Sequence, residues 1–116
     1  MRSILISAIL ITLPIYAARA ADLPTTDRQT AGMRLAATCA NCHGTNGVPA
    51  GGEFGALAGM PKQTLITAMN DFRSGKRKAT LMHQLAKGYS DRDVQLIAEY
   101  FAAQPKPPVI SGKYRK

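Results

Sequence analysis

Cys39-Ala40-Asn41-Cys42-His43 decides how the rest of this chain is read. Its two cysteines are the only ones in the sequence. A Cys-x-x-Cys pair followed directly by histidine is the attachment pattern for c-type haem. On one turn of helix, both thiols reach vinyl groups of the same porphyrin and the next imidazole points at the iron. A proximal histidine is a common haem ligand, and its other ring nitrogen donates to a carbonyl that fixes the ring. Three rival readings fit less well. A redox dithiol also uses Cys-x-x-Cys but belongs to a βαβ setting, and no strand pattern is found here. A zinc site needs four ligands, and the two cysteines and two histidines are thinly spread. A plain disulfide leaves His43 without a role.

Outward from the pentad, the first segment of the 116-residue chain reads as an export leader spanning residues 1–20. Arg2 gives a positive start, Ile4 to Ile11 with Leu13 and Ile15 form an apolar run, and Ala18-Arg19-Ala20 offers small residues for cleavage. Pro14 interrupts the run, which falls short of the roughly 20 residues a spanning helix needs, so no stable membrane insertion is expected. Export places the protein in the periplasm. One domain is expected over residues 21–108, followed by a basic tail at 109–116. A domain of this size is near the limit at which its own apolar core suffices, so a buried cofactor should contribute to its folding. Lysine and arginine total 15 against 7 acids. Loss of Arg2 and Arg19 leaves about +6, which favours an acidic partner protein. Nucleic acid is not expected, because no module for binding it is recognisable.

The remaining pattern predicts helices without strands. Thr26 or Asp27 can cap a first helix running toward Cys39, with Leu35 and Ala36 opposite Arg28 and Arg34. Residues 44–60, glycine-rich and containing Pro49, read as an irregular loop around the cofactor edge. Pro61 suits the first turn of a second long helix, in which Leu65, Ile66, Met69 and Phe72 recur at helical spacing until Ser74-Gly75. Leu81 to Ala86 can form a helical turn, broken at Gly88. Ser90 and Asp93 make a capping box for the last helix, whose buried stripe is Val94, Ile97, Ala98 and Phe101; Pro105, Pro107 and Pro108 end it. Arg73, Lys76, Arg77 and Lys78 form the densest basic cluster, readable as a solvated face or as a docking patch.

A methionine is the expected sixth ligand of a small haem protein that carries electrons, because the thioether raises the potential and closes the iron. Met33 and Met69 fall on helices and read as packing residues. Met60 follows His43 closely in a glycine-rich turn, whereas Met82 lies beyond an intervening helix and has the reach for the opposite face. Met82 is therefore the favoured ligand. His83 is the competing candidate, and a bis-histidine site would lower the potential; an ordinary loop histidine is the commoner outcome.

The sequence from about Gln29 to Pro105 resembles class I cytochromes c, particularly the c4 and c553 type. The resemblance rests on Cys39-Ala40-Asn41-Cys42-His43-Gly44 with Gly47, Leu57-Ala58-Gly59, Asp71-Phe72-Arg73-Ser74-Gly75-Lys76-Arg77 and Leu96-Ile97-Ala98-Glu99-Tyr100-Phe101. It implies an all-α fold of about four helices around one covalently attached haem c, and a loop methionine before the final helix as ligand, which supports Met82. Thr80-Leu81-Met82-His83-Gln84-Leu85-Ala86-Lys87-Gly88-Tyr89-Ser90 further resembles the cytochrome subunit of flavocytochrome c sulfide dehydrogenases. That likeness implies an electron-transfer subunit, not catalytic alone, which takes electrons from an FAD-containing subunit and passes them to a cytochrome or oxidase. The best-known of those subunits carry two haem domains, whereas one pentad is present here. Relatives also often carry proline before Leu-Ala-Gly, where this chain has Gly55-Ala56, so the resemblance leaves the carbonyl holding His43 unassigned. The alternatives are a diffusible shuttle to an oxidase or photosynthetic complex and a haem sensor or peroxidase, which requires an open sixth position.

Overall fold

In a computed structural model of the chain, residues 24–50 and 54–108 are described. The leader, residues 1–20, and the basic tail, 109–116, lie outside them. The described chain is all-α, with α1 at Thr25–Ala36, α2 at Ala40–His43, α3 at Lys62–Ser74, α4 at Met82–Lys87 and α5 at Asp91–Ala102; a 3-10 turn covers Thr45–Gly47. Four helices were expected. The fifth, α2, is the single turn that carries the pentad.

α5 is the central element. Its Ser90 Oγ accepts from the Asp93 amide at 3.2 Å, while the Asp93 carboxylate accepts from the Ser90 amide at 2.9 Å, closing the expected capping box. Val94, Ile97, Ala98 and Phe101 are buried as their spacing predicts, but Leu96 and Tyr100 are buried too. The stripe is wider because α1 covers that side: a Cβ on Gly32 would lie 2.5 Å from the Leu96 carbonyl oxygen and 2.9 Å from Tyr100 Cβ. Glycine at that position lets the two backbones approach closely.

α1 corrects two expectations. It starts at Thr25, with Pro24 at the N-cap and no side-chain cap bond, so neither Thr26 nor Asp27 caps it. Arg28 is not on a face away from the core. It shares the inward face with Gly32 and Ala36, four and eight residues on, and its guanidinium donates from Nε to Glu99 Oε2 (3.0 Å) and from Nη2 to Glu99 Oε1 (2.6 Å). Lys62 Nζ also donates to Glu99 Oε1, at 2.5 Å, so one carboxylate on α5 ties it to α1 and to the start of α3. The Arg28 hydrogen bond, chiefly, holds the Glu99 carboxyl below its ordinary range.

Pro61 sits at the N-cap of α3, one residue before the first turn. Leu65 and Met69 are buried, Ile66 and Phe72 partly so, and Gly75 ends the helix with φ of 80°, a left-handed cap that glycine adopts without strain. α3 packs against α4 and α5. The helices thus leave a space bounded by α2, α3, α4 and the face of α5 that carries Ile97 and Phe101.

Candidate functional site

The pentad forms as an extension of α1. The Cys39 amide donates to Ala36 O at 3.0 Å, and the His43 amide donates to Cys39 O at 2.8 Å, so the chain winds from α1 into α2 without unrolling. Both cysteines are free, half-buried and on the wall of one cavity. Burial pushes the Cys39 thiol upward, the opposite of the depressed value a reactive dithiol needs. Among the described residues, no group of three or more Cys, His, Asp or Glu side chains is placed to hold a metal ion.

His43 lines the same cavity, and its Nδ1 lies 2.7 Å from the Gly55 carbonyl oxygen. With Nδ1–H as donor, Nε2 is left for a metal. The Phe54 ring meets the imidazole edge-on, with centroids 5.9 Å apart. The carbonyl that the resemblance left unassigned is therefore that of Gly55. Its position depends on the loop after α2, which backbone bonds hold in place: Leu57 and Ala58 both donate to Gly47 O (2.9 and 3.1 Å), and Gly59 donates to Phe101 O (2.8 Å). Tyr100 Oη donates to Asn46 Oδ1 at 2.6 Å and anchors the turn between them.

The cavity measures about 390 Å³ and is lined mainly by apolar side chains, including Leu57, Leu65, Met69, Phe72, Ile97 and Phe101. This is the size and polarity of a pocket for an apolar cofactor. Ala79 to Met82, with Leu85 and Tyr89, form a further part of its lining. Two thiols, one imidazole with a free nitrogen and an apolar cleft are the donor set and the shape that a covalently held haem requires.

The four methionines of the described chain are placed differently. Met82 opens α4 and lines the cavity; Met60, partly buried against the core, lines it as well. Met69 is core and also reaches the cavity wall. Met33 is 51% exposed and outside this cavity, which corrects its reading as a packing residue. His83 is turned away from the cavity. The Ala79 amide donates to its Nε2 at 3.3 Å, and its Nδ1 lies 2.8 Å from Phe72 O.

The basic cluster is divided in role. Arg73 is spent inside the molecule, donating to Ala86 O (3.2 Å), Tyr89 O (2.8 Å) and Asp91 Oδ1 (2.6 Å). Arg77 lies with its guanidinium carbon 4.7 Å from the centre of the Phe72 ring and is the one lysine or arginine on the cavity wall among the described residues. Lys76 and Lys78 are exposed. In the sequence the four are linked only by adjacency, and nothing there separates Arg73 from Arg77, because a guanidinium's partners lie across the fold.

Comparison with known proteins agrees with this geometry. The family described as Cytochrome c matches residues 29–104. The chain is 39% identical over 85 residues to the cytochrome subunit of sulfide dehydrogenase of Chlorobaculum tepidum, covering 73% of this chain and 74% of that one. It is 40% identical over 74 residues to cytochrome c4 of Pseudomonas aeruginosa, covering 64% of this chain and 37% of the relative. A thiosulfate dehydrogenase electron acceptor of Stutzerimonas stutzeri is 43% identical over 67 residues, which are 55% of this chain and 31% of the relative. The first relative is thus about as long as this chain, whereas the chain spans about a third of the other two. A pentad wound onto α1, an apolar cleft between α2 and α4, and the family match together place this chain in the cytochrome c family, as an all-α electron carrier with covalently bound haem c.

Proposed function

We propose that the chain is a periplasmic cytochrome with a single haem, which accepts electrons from an FAD-containing sulfide dehydrogenase subunit and passes them to a further cytochrome or oxidase. The observation that carries this reading is the 39% identity to the Chlorobaculum cytochrome subunit, extending over about three quarters of both chains. The lone Cys-x-x-Cys-His pentad in this sequence supports a one-haem version of that subunit. The apolar run ahead of Ala20 supports export, and no helix among the described residues is long and apolar enough to cross a membrane.

The haem supplies a one-electron couple at its iron. The chain's residues hold it and set its potential. Cys39 and Cys42 would attach it by thioether bonds, and His43 Nε2 would be the proximal ligand, oriented through Nδ1 by Gly55 O. In this reading Met82, on the cavity lining, would be the sixth ligand, and its thioether would raise the potential and keep other molecules off the iron. Arg77, at the cavity wall, would neutralise a haem carboxylate. Leu81, 64% exposed, and Leu85, 39% exposed, stand at the cavity's mouth and supply apolar area for a stable partner.

A diffusible shuttle is the second reading, favoured by the likeness to cytochrome c4 and to an electron acceptor. A pull-down of the tagged, haem-loaded protein from periplasmic extract separates the two. A stoichiometric flavoprotein that reduces this haem when sulfide is added establishes the subunit reading. Recovery of the haem protein alone, with normal redox behaviour, supports the shuttle. Rapid, full binding of carbon monoxide to the reduced protein at neutral pH would instead indicate an open iron and a sensor or peroxidase.

A further inference from the structure

Met82 begins a helix that is ill-equipped to hold it. α4 has six residues, and Leu81 at its N-cap makes no side-chain cap bond. So short a helix does not persist without tertiary support. One support is the side chain next to the ligand. The Ala79 amide donates to His83 Nε2 at 3.3 Å, which makes Nε2 an acceptor and leaves the proton of the neutral imidazole on Nδ1. Nδ1 lies 2.8 Å from Phe72 O and donates to it, in the last turn of α3. His83 therefore connects three points: the end of α3, the loop at Ala79 and the first turn of α4. Met82 lines the cavity, while His83, its neighbour, does not.

We propose that His83 is a positioning residue for the sixth ligand: its imidazole pins the segment 79–82 to α3 and so keeps the Met82 sulfur on the iron. The inference rests on the reading of Met82 as that ligand. His83 works through two backbone groups that precede Met82, the Phe72 carbonyl and the Ala79 amide, and does not itself line the cavity. Loss of the imidazole takes away the Ala79 amide's acceptor, leaves the Phe72 carbonyl with the Gly75 amide alone (3.2 Å), and frees the loop to swing away, exposing the iron. The pin acts locally, so the iron–sulfur bond should fail before the helices do.

The test uses the haem-loaded full protein and four variants, read by carbon monoxide binding to the reduced form and by the weak far-red band of a methionine–ferric haem bond. Met82→Ala is the reference for an open iron. If it retains the far-red band, the ligand reading fails and this inference fails with it. With that band lost in Met82→Ala, His83→Ala should keep the band in buffer but bind carbon monoxide about tenfold faster than the parent, the factor that ~1.4 kcal/mol of lost hydrogen bonding gives. In a guanidinium titration its far-red band should disappear well before helical circular dichroism falls. His83→Asn, which keeps a donor near the Nδ1 position, should recover part of the parental rate; His83→Gln, with no donor there, should recover less. Parental carbon monoxide kinetics in His83→Ala would overturn the proposal. So would loss of the band and of the helices in one coincident transition, which would make His83 a contributor to global stability alone. If His83→Ala does not fold, His83→Gln carries the same two readouts with the same criteria.

Discussion

The two walls of the haem cleft are built by opposite means. On the proximal wall, Cys39, Cys42 and His43 share one helical turn that grows directly out of α1, and one carbonyl, that of Gly55, orients the imidazole. On the distal wall, Met82 stands on a six-residue helix held by Arg73, which reaches Ala86 O and Tyr89 O, and by His83, which reaches Phe72 O and Ala79 N. The first wall is local, and in the proposed reading its two thiols would make it covalent. The second is a set of polar pins from the end of α3. The difference matters for an electron carrier: the haem must never leave, while the sixth ligand sets the potential and can be tuned by the loop that carries it.

The largest effect should come from breaking the proximal wall. His43→Ala is expected to abolish the low-spin spectrum altogether, because the remaining thioethers hold the porphyrin but donate nothing to the iron; a visible spectrum of the reduced protein checks this. Met82→Ala should leave the haem attached and the proximal side intact, while the midpoint potential falls by on the order of 0.1–0.3 V, within the ~0.8 V over which axial ligands set haem potentials. A redox titration of the purified variant measures it.

Smaller still is the effect expected of Arg73→Ala. It removes two hydrogen bonds to backbone carbonyls and an ion pair to a largely exposed Asp91. The loss should be about 2 kcal/mol, nearly all of it from the carbonyl bonds. Arg73→Lys should restore little, because an ammonium cannot reproduce the guanidinium fork. Guanidinium unfolding followed at the far-red band and by circular dichroism would show whether the distal wall loosens first.

The smallest effect concerns the scaffold behind both walls. Glu99 has its carboxyl lowered by Arg28, and its contribution is full above the ordinary glutamate pKa and lost as pH falls through the lower folded-state value. Glu99→Gln should flatten that acid-side loss and cost about 1 kcal/mol at neutral pH, since the pair keeps some contact with water. It should leave the potential unchanged. Stability measured as a function of pH in both proteins provides the comparison.

The same contrast explains what could be read from the residues alone. The proximal wall was legible because its chemistry is contiguous, and the capping box Ser90–Asp93 and the glycine at position 75 marked helix ends by local rules. The carbonyl behind His43 was not, since any backbone oxygen in a glycine-rich loop has the same sequence signature; the fold selects Gly55 through bonds from Leu57 and Ala58 to Gly47. Arg28 was not legible because a charge on a helix suggests a solvent face, whereas Glu99 makes that charge compatible with a helix crossing. Met33 departs from its expected packing role for the converse reason: an apolar residue on a helix is not thereby inside. Met60 and Met82 both reach the cavity, so burial does not by itself choose the ligand.

The most direct test of the His43–Met82 axis is the proton NMR spectrum of the reduced, haem-loaded protein beside its Met82→Ala and Met60→Ala variants. A methionine methyl bound at a diamagnetic haem iron is carried far upfield by the ring current. The axis predicts that this resonance is present in the parent and in Met60→Ala and absent from Met82→Ala. Its survival in Met82→Ala with loss in Met60→Ala would place the ligand on the wrong side of α3 and contradict the account of the distal wall.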